Sequence, residues 1–322
     1  MAKRKDRELI RQRKREQWVD RTGQALGLSK SETEPLLYIR RTQSFRVNRL
    51  KASDVSIAGL RNRSLLNQPI RWCKSGYALE NATERLADGH FLEEGVVYIQ
   101  NAASWLPVLT LDPQPNEHIL DVCAAPGGKA AHIQAITDNG STLVCNDNSR
   151  PRLAKLQANM LRLGATAAYT LHDATKLSRV FEPYSFDRVL LDAPCSGEGL
   201  MTLHPEDAKL FDSWSVAHIR RLSALQKKIL HESWQVLKSG GTLVYSTCTM
   251  APEENEAVID YFLRTHADAE LLPITIQLEG RIPTVATWNN KSFTRDLSGC
   301  LRLQPSKLTE AFFVAHLRKT SD

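Results

Sequence analysis

The sequence predicts an α/β protein: a doubly wound, mostly parallel sheet preceded by a small basic α+β module. Three observations carry that prediction. From Val96 onward, short apolar runs alternate with stretches of helical apolar spacing, the order expected of a parallel sheet covered on both faces. The first of these runs, "HILDVC", opens through "AAPGGKAAHIQAIT" into a glycine turn and a helix. Before that point the composition is different, basic, with Asp54 the only acid between Glu34 and Glu80. Residues 1–95 are therefore read as a basic N-terminal module and 96–322 as the α/β domain.

A chain of 322 residues, 42% hydrophobic, can bury one large core and a second small one. It has no apolar run of membrane-spanning length, and its start, "MAKRKDRELIRQRKREQW", lacks the apolar segment of a signal peptide. A soluble, cytoplasmic protein without a membrane partner is expected, with a monomer as the default. The six cysteines include no C-x-x-C pair, so no metal site is expected. They are too sparse for a disulfide scaffold and are read as free thiols, mostly small buried hydrophobes.

The net charge of +6 suits a polyanionic partner without proving one. Lys3, Arg4, Lys5, Arg7, Arg11, Arg13, Lys14 and Arg15 crowd the start, either as a solvated, frayed helix or as a nucleic-acid contact. More informative is the run Arg40, Arg41, Arg46, Arg49, Lys51, Arg61, Arg63, Arg71 and Lys74. Between Glu34 and Glu80 the only acid is Asp54, which predicts a positive face on the N-terminal third.

In chain order, "SFRVNRLKA" and "QPIRWCKSGYAL" read as strands of the module, around a serine-capped helix in "SDVSIAGLRNRSL". In the domain, "HILDVC", "STLVCND", "AAYTLHD", "FDRVLLDAP" and "SGGTLVYSTC" read as successive strands. "SRPRLAKLQANMLRLG" is a helix ending at Gly164. "VAHIRRLSALQKKILHESWQVLK" is a long helix with Ile219, Leu222, Leu225, Ile229 and Val236 on one face. "AFFVAHLRK" is a closing strand.

The ends of these strands carry the chemistry. In such a sheet the first strand-to-helix turn faces the ligand crevice, and the small residues of "LDVCAAPGGKAAH" let backbone approach a ligand. The stretch is neither a Walker loop nor the Gly-x-Gly-x-x-Gly fingerprint, which disfavours a phosphate cradle. Strand two ends at Asp147, strand three at Asp173 and strand four at Asp192. One such acid is ordinarily a cap or turn residue. Three around a glycine turn fit an adenosine-like ligand without phosphates, and S-adenosylmethionine has that chemistry. Cys195 follows strand four and Cys248 strand five. Either alone reads as a packing residue; at neighbouring strand ends beside Asp192, the pair reads as functional.

"LDVCAAPGGKA", "LLDAPCSGEGLM" and "YSTCTMAPEENEAVI" resemble motifs I, IV and VI of the RNA cytosine-5 methyltransferases, the RsmB and NSUN group. "SFRVNRLK", "GVVYIQNAAS" and "AFFVAHLRK" resemble further stretches of the same family, so the likeness runs from about Ser44 to the end of the chain. It implies a Rossmann-like class I methyltransferase with a seven-stranded sheet. It also implies methyl transfer from S-adenosylmethionine to C5 of a cytosine in ribosomal or transfer RNA, single-stranded or flipped out. By the same resemblance Cys248 is the thiol that adds to C6, Cys195 assists its release, and Asp192 holds the base edge. The cofactor site is Cys123, Ala124, Ala125, Pro126, Gly127, Gly128 and Lys129 with Asp147, Arg152, Asp173 and Asp192. Arg152 is otherwise a surface helix charge, and Lys129 is a candidate for lowering the thiol pKa.

Two departures stand out. Ala311 occupies a frequent glycine position, which is tolerable unless its φ is positive. The chain also looks short for the extra RNA-binding domains of some family members. Alternative readings are a catalytically idle RNA-binding or ribosome-assembly factor, a DNA cytosine-5 methyltransferase and an amino-methyltransferase. The last needs an aromatic residue after the proline of "DAPC", and none stands there.

Overall fold

The computed structural model describes residues 2–79, 86, 89–203 and 207–320. The N-terminal module holds three antiparallel strands, β1 (Gln43–Val47), β2 (Gly76–Leu79) and β3 (Val97–Ile99), in the order β2-β1-β3. Because β3 pairs with β1, this sheet runs across the boundary expected at residue 95. The helix Asp54–Asn62 starts where Ser53 accepts the Ser56 amide, the serine cap read from sequence. Phe45, Leu60, Leu79, Phe91 and Val97 form the module's own core.

The first helix, Ala2–Leu26, is not a frayed end over its second half. Trp18 and Val19 are buried in a cluster with Phe211, Trp214 and Ile219 of the α/β domain. Arg11 binds Asp212 in a two-bond fork of 2.7 and 2.6 Å, and Lys14 donates to the carbonyls of Phe211 and Asp212. Lys3, Arg4 and Lys5 lie outside the described side chains. The basic face also loses two members. Arg46 is buried and donates to the Gly128 carbonyl at 3.0 Å, while Arg41 donates to the carbonyls of Ser306 and Thr309. Burial lowers both guanidinium pKa values to about 10. Arg40, Arg49, Lys51, Arg61, Arg63, Arg71 and Lys74 remain exposed.

The domain sheet is built from β4 (His118–Asp121), β5 (Thr142–Asn146), β6 (Ala168–Thr170), β7 (Phe186–Asp192) and β8 (Leu237–Thr247), parallel in the order β6-β5-β4-β7-β8. Then come β9 (Ala269–Leu272), β10 (Arg281–Ile282), a small hairpin of β11 (Thr287–Trp288) and β12 (Lys291–Ser292), β13 (Leu301–Leu303) and β14 (Phe312–Lys319). β14 runs antiparallel beside β8.

Among the described residues the sheet has nine strands rather than the seven expected. The reason lies in β14. Its outer edge is divided between two short strands, β13 opposite Phe312–Val314 and β9 opposite His316–Lys319. They satisfy backbone groups that a single closing strand would leave open. β10 then pairs with β13.

The long helix spans Val216–Gln235 and stops short of the predicted end. The Val236 carbonyl instead accepts the amides of Ser185 and Phe186 at the start of β7, which draws the chain into β8. Ile229, Leu230, Trp234 and Phe262 pack one face of the sheet, and Ile133, Leu156, Met160 and Leu106 the other. The strand order reverses between β4 and β7, which places the crevice of the fold at their carboxyl ends. No described helix is long and apolar enough to cross a membrane.

Candidate active site

The thiols meet because of strand register. β7 and β8 pair with Asp192 opposite Ser246, so the segments leaving the two strands depart side by side. Cys195 Sγ and Cys248 Sγ are 3.3 Å apart. The two loops are stitched together around them. The Gly199 amide donates to the Cys248 carbonyl at 2.8 Å. Ser196 bonds Thr249 through their hydroxyls at 2.9 Å and donates its amide to Glu254 at 2.9 Å. Buried Glu198 accepts the Thr249 hydroxyl at 2.9 Å and the Met250 amide at 3.0 Å. Gly199 must be glycine for this approach, since a Cβ there would lie 2.9 Å from the Cys248 carbonyl oxygen.

Asp192 sits beside the pair with both carboxylate oxygens engaged. Oδ2 accepts Lys129 Nζ at 2.7 Å and Oδ1 accepts Ser246 Oγ at 2.7 Å. Its side chain is 31% exposed against 13% for Lys129, so the acid keeps one face open to solvent. Burial works to lower the Lys129 pKa, but the charge and hydrogen bond of Asp192 outweigh it and the pKa is raised. Lys129 therefore serves Asp192 first. The Cys248 thiol is pushed well up, by its hydrogen bond with Cys195 and then by burial. The charges of Cys195, Glu310 and Asp192 act in the same direction, and the nearby cation Lys129 is already paired with Asp192.

The turn after β4 is held from two sides. The Ala124 amide donates to the Asn146 carbonyl at 2.9 Å, and Asn146 Nδ2 donates to the Val122 carbonyl at 3.1 Å. Gly127 has φ +103, and a Cβ there would come within 2.8 Å of Leu156, so both conformation and packing demand glycine. Cys123 is drawn into this turn, and burial raises its pKa. Pro126 is exposed, whereas Ala124, Gly127 and Gly128 are buried.

Asp147 follows β5, buried, with one oxygen accepting the Ser149 amide at 3.0 Å and the other 3.2 Å from Arg152. Arg152 also donates to the Ala125 carbonyl at 3.1 Å, so it ties the second strand end to the first turn rather than standing free on its helix. Asp173 is placed differently. It lies three residues beyond β6 and caps the next turn through the Thr175 amide at 3.0 Å and hydroxyl at 2.8 Å. Those two bonds lower its pKa. Ala311 is not among the described residues with positive φ.

Several acids at the site escaped the sequence reading. Asp121 ends β4, only 1% exposed, and neither carboxylate oxygen has a hydrogen-bond partner among the described residues. Its signal was present, an aspartate at a strand end inside the quoted glycine-turn stretch. Burial raises its pKa to about 7, with Asp192 adding and Lys129 opposing. Glu254 and Glu310 are likewise raised to about 7 by burial. A Cβ on Gly199 would also meet Glu310 Oε2 at 2.9 Å, which sets that carboxylate close to the Cys248 loop. Nothing local in the sequence marks Glu254 or Glu310, because their burial comes from distant elements.

A pH dependence follows for Asp121. Its folded pKa of about 7 exceeds the ordinary 3.8, so the folded state holds the proton more tightly than the unfolded one. Stability from this group is full below pH 3.8 and is lost as pH rises through about 7. Asp121→Asn removes that loss, on the order of 4 kcal/mol at most. Thermal midpoints of variant and wild type, compared across this window, should diverge in the variant's favour as pH rises. A difference that does not change with pH would contradict the assignment.

Comparison with known proteins extends the picture. Residues 108–318 match a family described as 16S rRNA methyltransferase RsmB/F. A tRNA (cytosine(49)-C(5))-methyltransferase of Pyrococcus abyssi is 34% identical over 286 residues, which cover 88% of this chain and 90% of that protein. Ribosomal RNA small subunit methyltransferase F of Escherichia coli O9:H4 is 38% identical over 286 residues. The match covers 86% of this chain but 57% of that relative. A crystal structure of a methyltransferase homolog from Pyrococcus horikoshii superposes with a TM-score of 0.74 at 30% identity, covering 94% of this chain and 99% of that one.

Proposed function

Because this chain belongs to the RsmB/F family of RNA cytosine-5 methyltransferases, we propose that it methylates C5 of a cytosine in RNA through a covalent adduct of Cys248 to C6. What supports the covalent step is one observation, the 3.3 Å contact of Cys195 and Cys248 beside Asp192. The substrate is ribosomal or transfer RNA, the two classes named for the relatives.

S-adenosylmethionine, when bound, supplies an electrophilic methyl group on a sulfonium. The donor set fits it. Asp121 ends β4 with two buried carboxylate oxygens lacking a hydrogen-bond partner among the described residues, and Asp147 follows β5 with a buried oxygen held only by its ion pair to Arg152, a set suited to a cationic, hydroxyl-rich ligand without phosphates. The turn Cys123–Lys129 offers backbone, Asp147 the diol acceptor with Arg152 fixing it, and Asp173 and Asp192 complete the rim.

Cytosine C5 is a weak nucleophile. The Cys248 sulfur forms a bond to C6 as its proton passes to solvent, the C5–C6 double-bond electrons shift into the ring, and the resulting enamine can attack through C5. Asp192 accepts from the exocyclic amine and so holds the base edge in the adduct. Lys129 holds Asp192 in place. Once the proton on C5 passes to a solvent water acting as base, the electrons of that bond restore the ring double bond and expel the Cys248 sulfur as thiolate. Cys195 lies where it can assist this exit. The exposed cations of the N-terminal module supply backbone contacts to the RNA.

The deciding experiment is transfer of labelled methyl from S-adenosylmethionine by the full chain to unmodified RNA transcripts and to DNA of the same sequence. Label in 5-methylcytosine of RNA alone is expected. Label in DNA, or no affinity for S-adenosylmethionine, overturns the reading in favour of a DNA enzyme or an idle assembly factor.

A further inference from the structure

A second polar feature lies beyond the thiol loops. The helices Val216–Gln235 and Glu256–Thr265 and the β11–β12 hairpin enclose a groove of about 1000 Å³. Its cations are Arg220, Lys227, Arg264 and Lys291, and its acids are Glu253 and Asp260. Both acids are already spent. Glu253 is paired with Arg21 at 2.8 Å. Asp260 is paired with Arg264 at 3.0 Å and also accepts the amides of Thr294 and Arg295 at 2.7 and 3.0 Å. Arg220, Lys227 and Lys291 have no ion-pair partner among the described residues.

The groove therefore keeps three uncompensated positive charges around a common space. The Lys227 pKa responds accordingly, lowered by burial and then by Arg264 and Lys291, with Asp260 opposing. Lys227 Nζ also lies 4.8 Å from the centroid of the Tyr261 ring, and Tyr261 is 41% exposed. Unpaired cations, with a partly exposed aromatic ring just outside the groove lining and beside Lys227, match a single-stranded polynucleotide, which brings phosphates and unstacked bases together.

Position strengthens the match. Glu253 lines the groove, and its neighbour Glu254 holds the Ser196 amide next to Cys195. Ser223, also in the groove, donates its hydroxyl to the Glu253 carbonyl at 2.6 Å. The groove thus begins where the thiol loops end. Resting on the RNA reading above, we propose that it binds the RNA strand flanking the target cytosine, with Arg220, Lys227 and Lys291 on phosphates and Tyr261 stacking on an unpaired base.

The triple variant Arg220→Ala, Lys227→Ala, Lys291→Ala and the single variant Tyr261→Ala test this in the full chain. Arg220, Tyr261 and Lys291 are exposed and Lys227 is half-buried, and S-adenosylmethionine binding monitors integrity. With unmodified ribosomal and transfer RNA transcripts, the triple variant should raise the RNA KM at least tenfold, while turnover at saturating RNA holds. Binding of a short fluorescent oligocytidylate should lose about 2 units of salt slope, near 0.7 for each single-strand phosphate contact removed. Tyr261→Ala should weaken binding about fivefold or more with the salt slope unchanged, the signature of stacking. An unchanged RNA KM and salt slope in the triple variant overturns the groove while leaving the function standing. Wild-type protein that neither binds nor methylates RNA overturns both. Wild-type binding to phosphatidylserine vesicles that disappears in the triple variant, with RNA parameters unmoved, reassigns the groove to a membrane surface.

Discussion

Replacing Cys248 by serine is expected to abolish methyl transfer and the covalent RNA adduct together, a fall of roughly ten-thousand-fold or more. The substitution isolates chemistry from folding. The Gly199 amide binds the backbone carbonyl of residue 248 rather than its side chain, so the stitch between the two loops survives. Serine nearly matches the volume of cysteine and can take the same contact with Cys195. What disappears is the soft sulfur nucleophile, because a hydroxyl in this buried site is far harder to ionise. Denaturing electrophoresis of protein mixed with substrate RNA and cofactor reads the adduct, and labelled methyl reads the turnover. An adduct that persists in Cys248→Ser would move the attacking role to Cys195.

Cys195→Ala should do the opposite to the adduct. Methylated RNA is expected to accumulate on Cys248, in the presence of S-adenosylmethionine, as a species that survives denaturation. Turnover should fall about a hundredfold or more, within the range seen when a proton-transfer group is lost, while the first methyl transfer still occurs. The 3.3 Å separation underlies the asymmetry. A group that close to the attacking sulfur is placed to act on the release step, and its loss leaves the attacking atom in position. Failure to trap RNA in this variant would remove Cys195 from the release step.

The fold was legible wherever local pattern sufficed. The five parallel strands and the closing β14 stand where alternation and apolar runs put them, save that β6 stops at Thr170, three residues before Asp173. The serine-capped helix begins at its cap. Differences arose where distant elements decided the outcome. The basic N-terminal helix reads as solvated because its charges dominate the sequence, yet Trp18 and Val19 find a cluster nearly two hundred residues away. Arg46 reads as part of a positive face, yet it is enclosed between the module and the glycine turn. β9 and β13 are short and weakly patterned, and they exist as strands because β14 offers an edge.

By itself, the sequence determined which residues come to the carboxyl end of the sheet: the glycine turn, Asp147, Asp192, Cys195 and Cys248. Strand periodicity and turn chemistry are local and survive without knowledge of the rest of the chain. Only the tertiary structure decided how those residues act on one another. Register across β7 and β8 sets the thiols in contact and places Ser246 against Asp192. Packing commits Lys129 to Asp192, and it leaves Asp121, Glu254 and Glu310 poised at about 7. The physical reason is desolvation: the cost of a buried charge depends on every element that excludes water from it, and those elements come from across the whole chain.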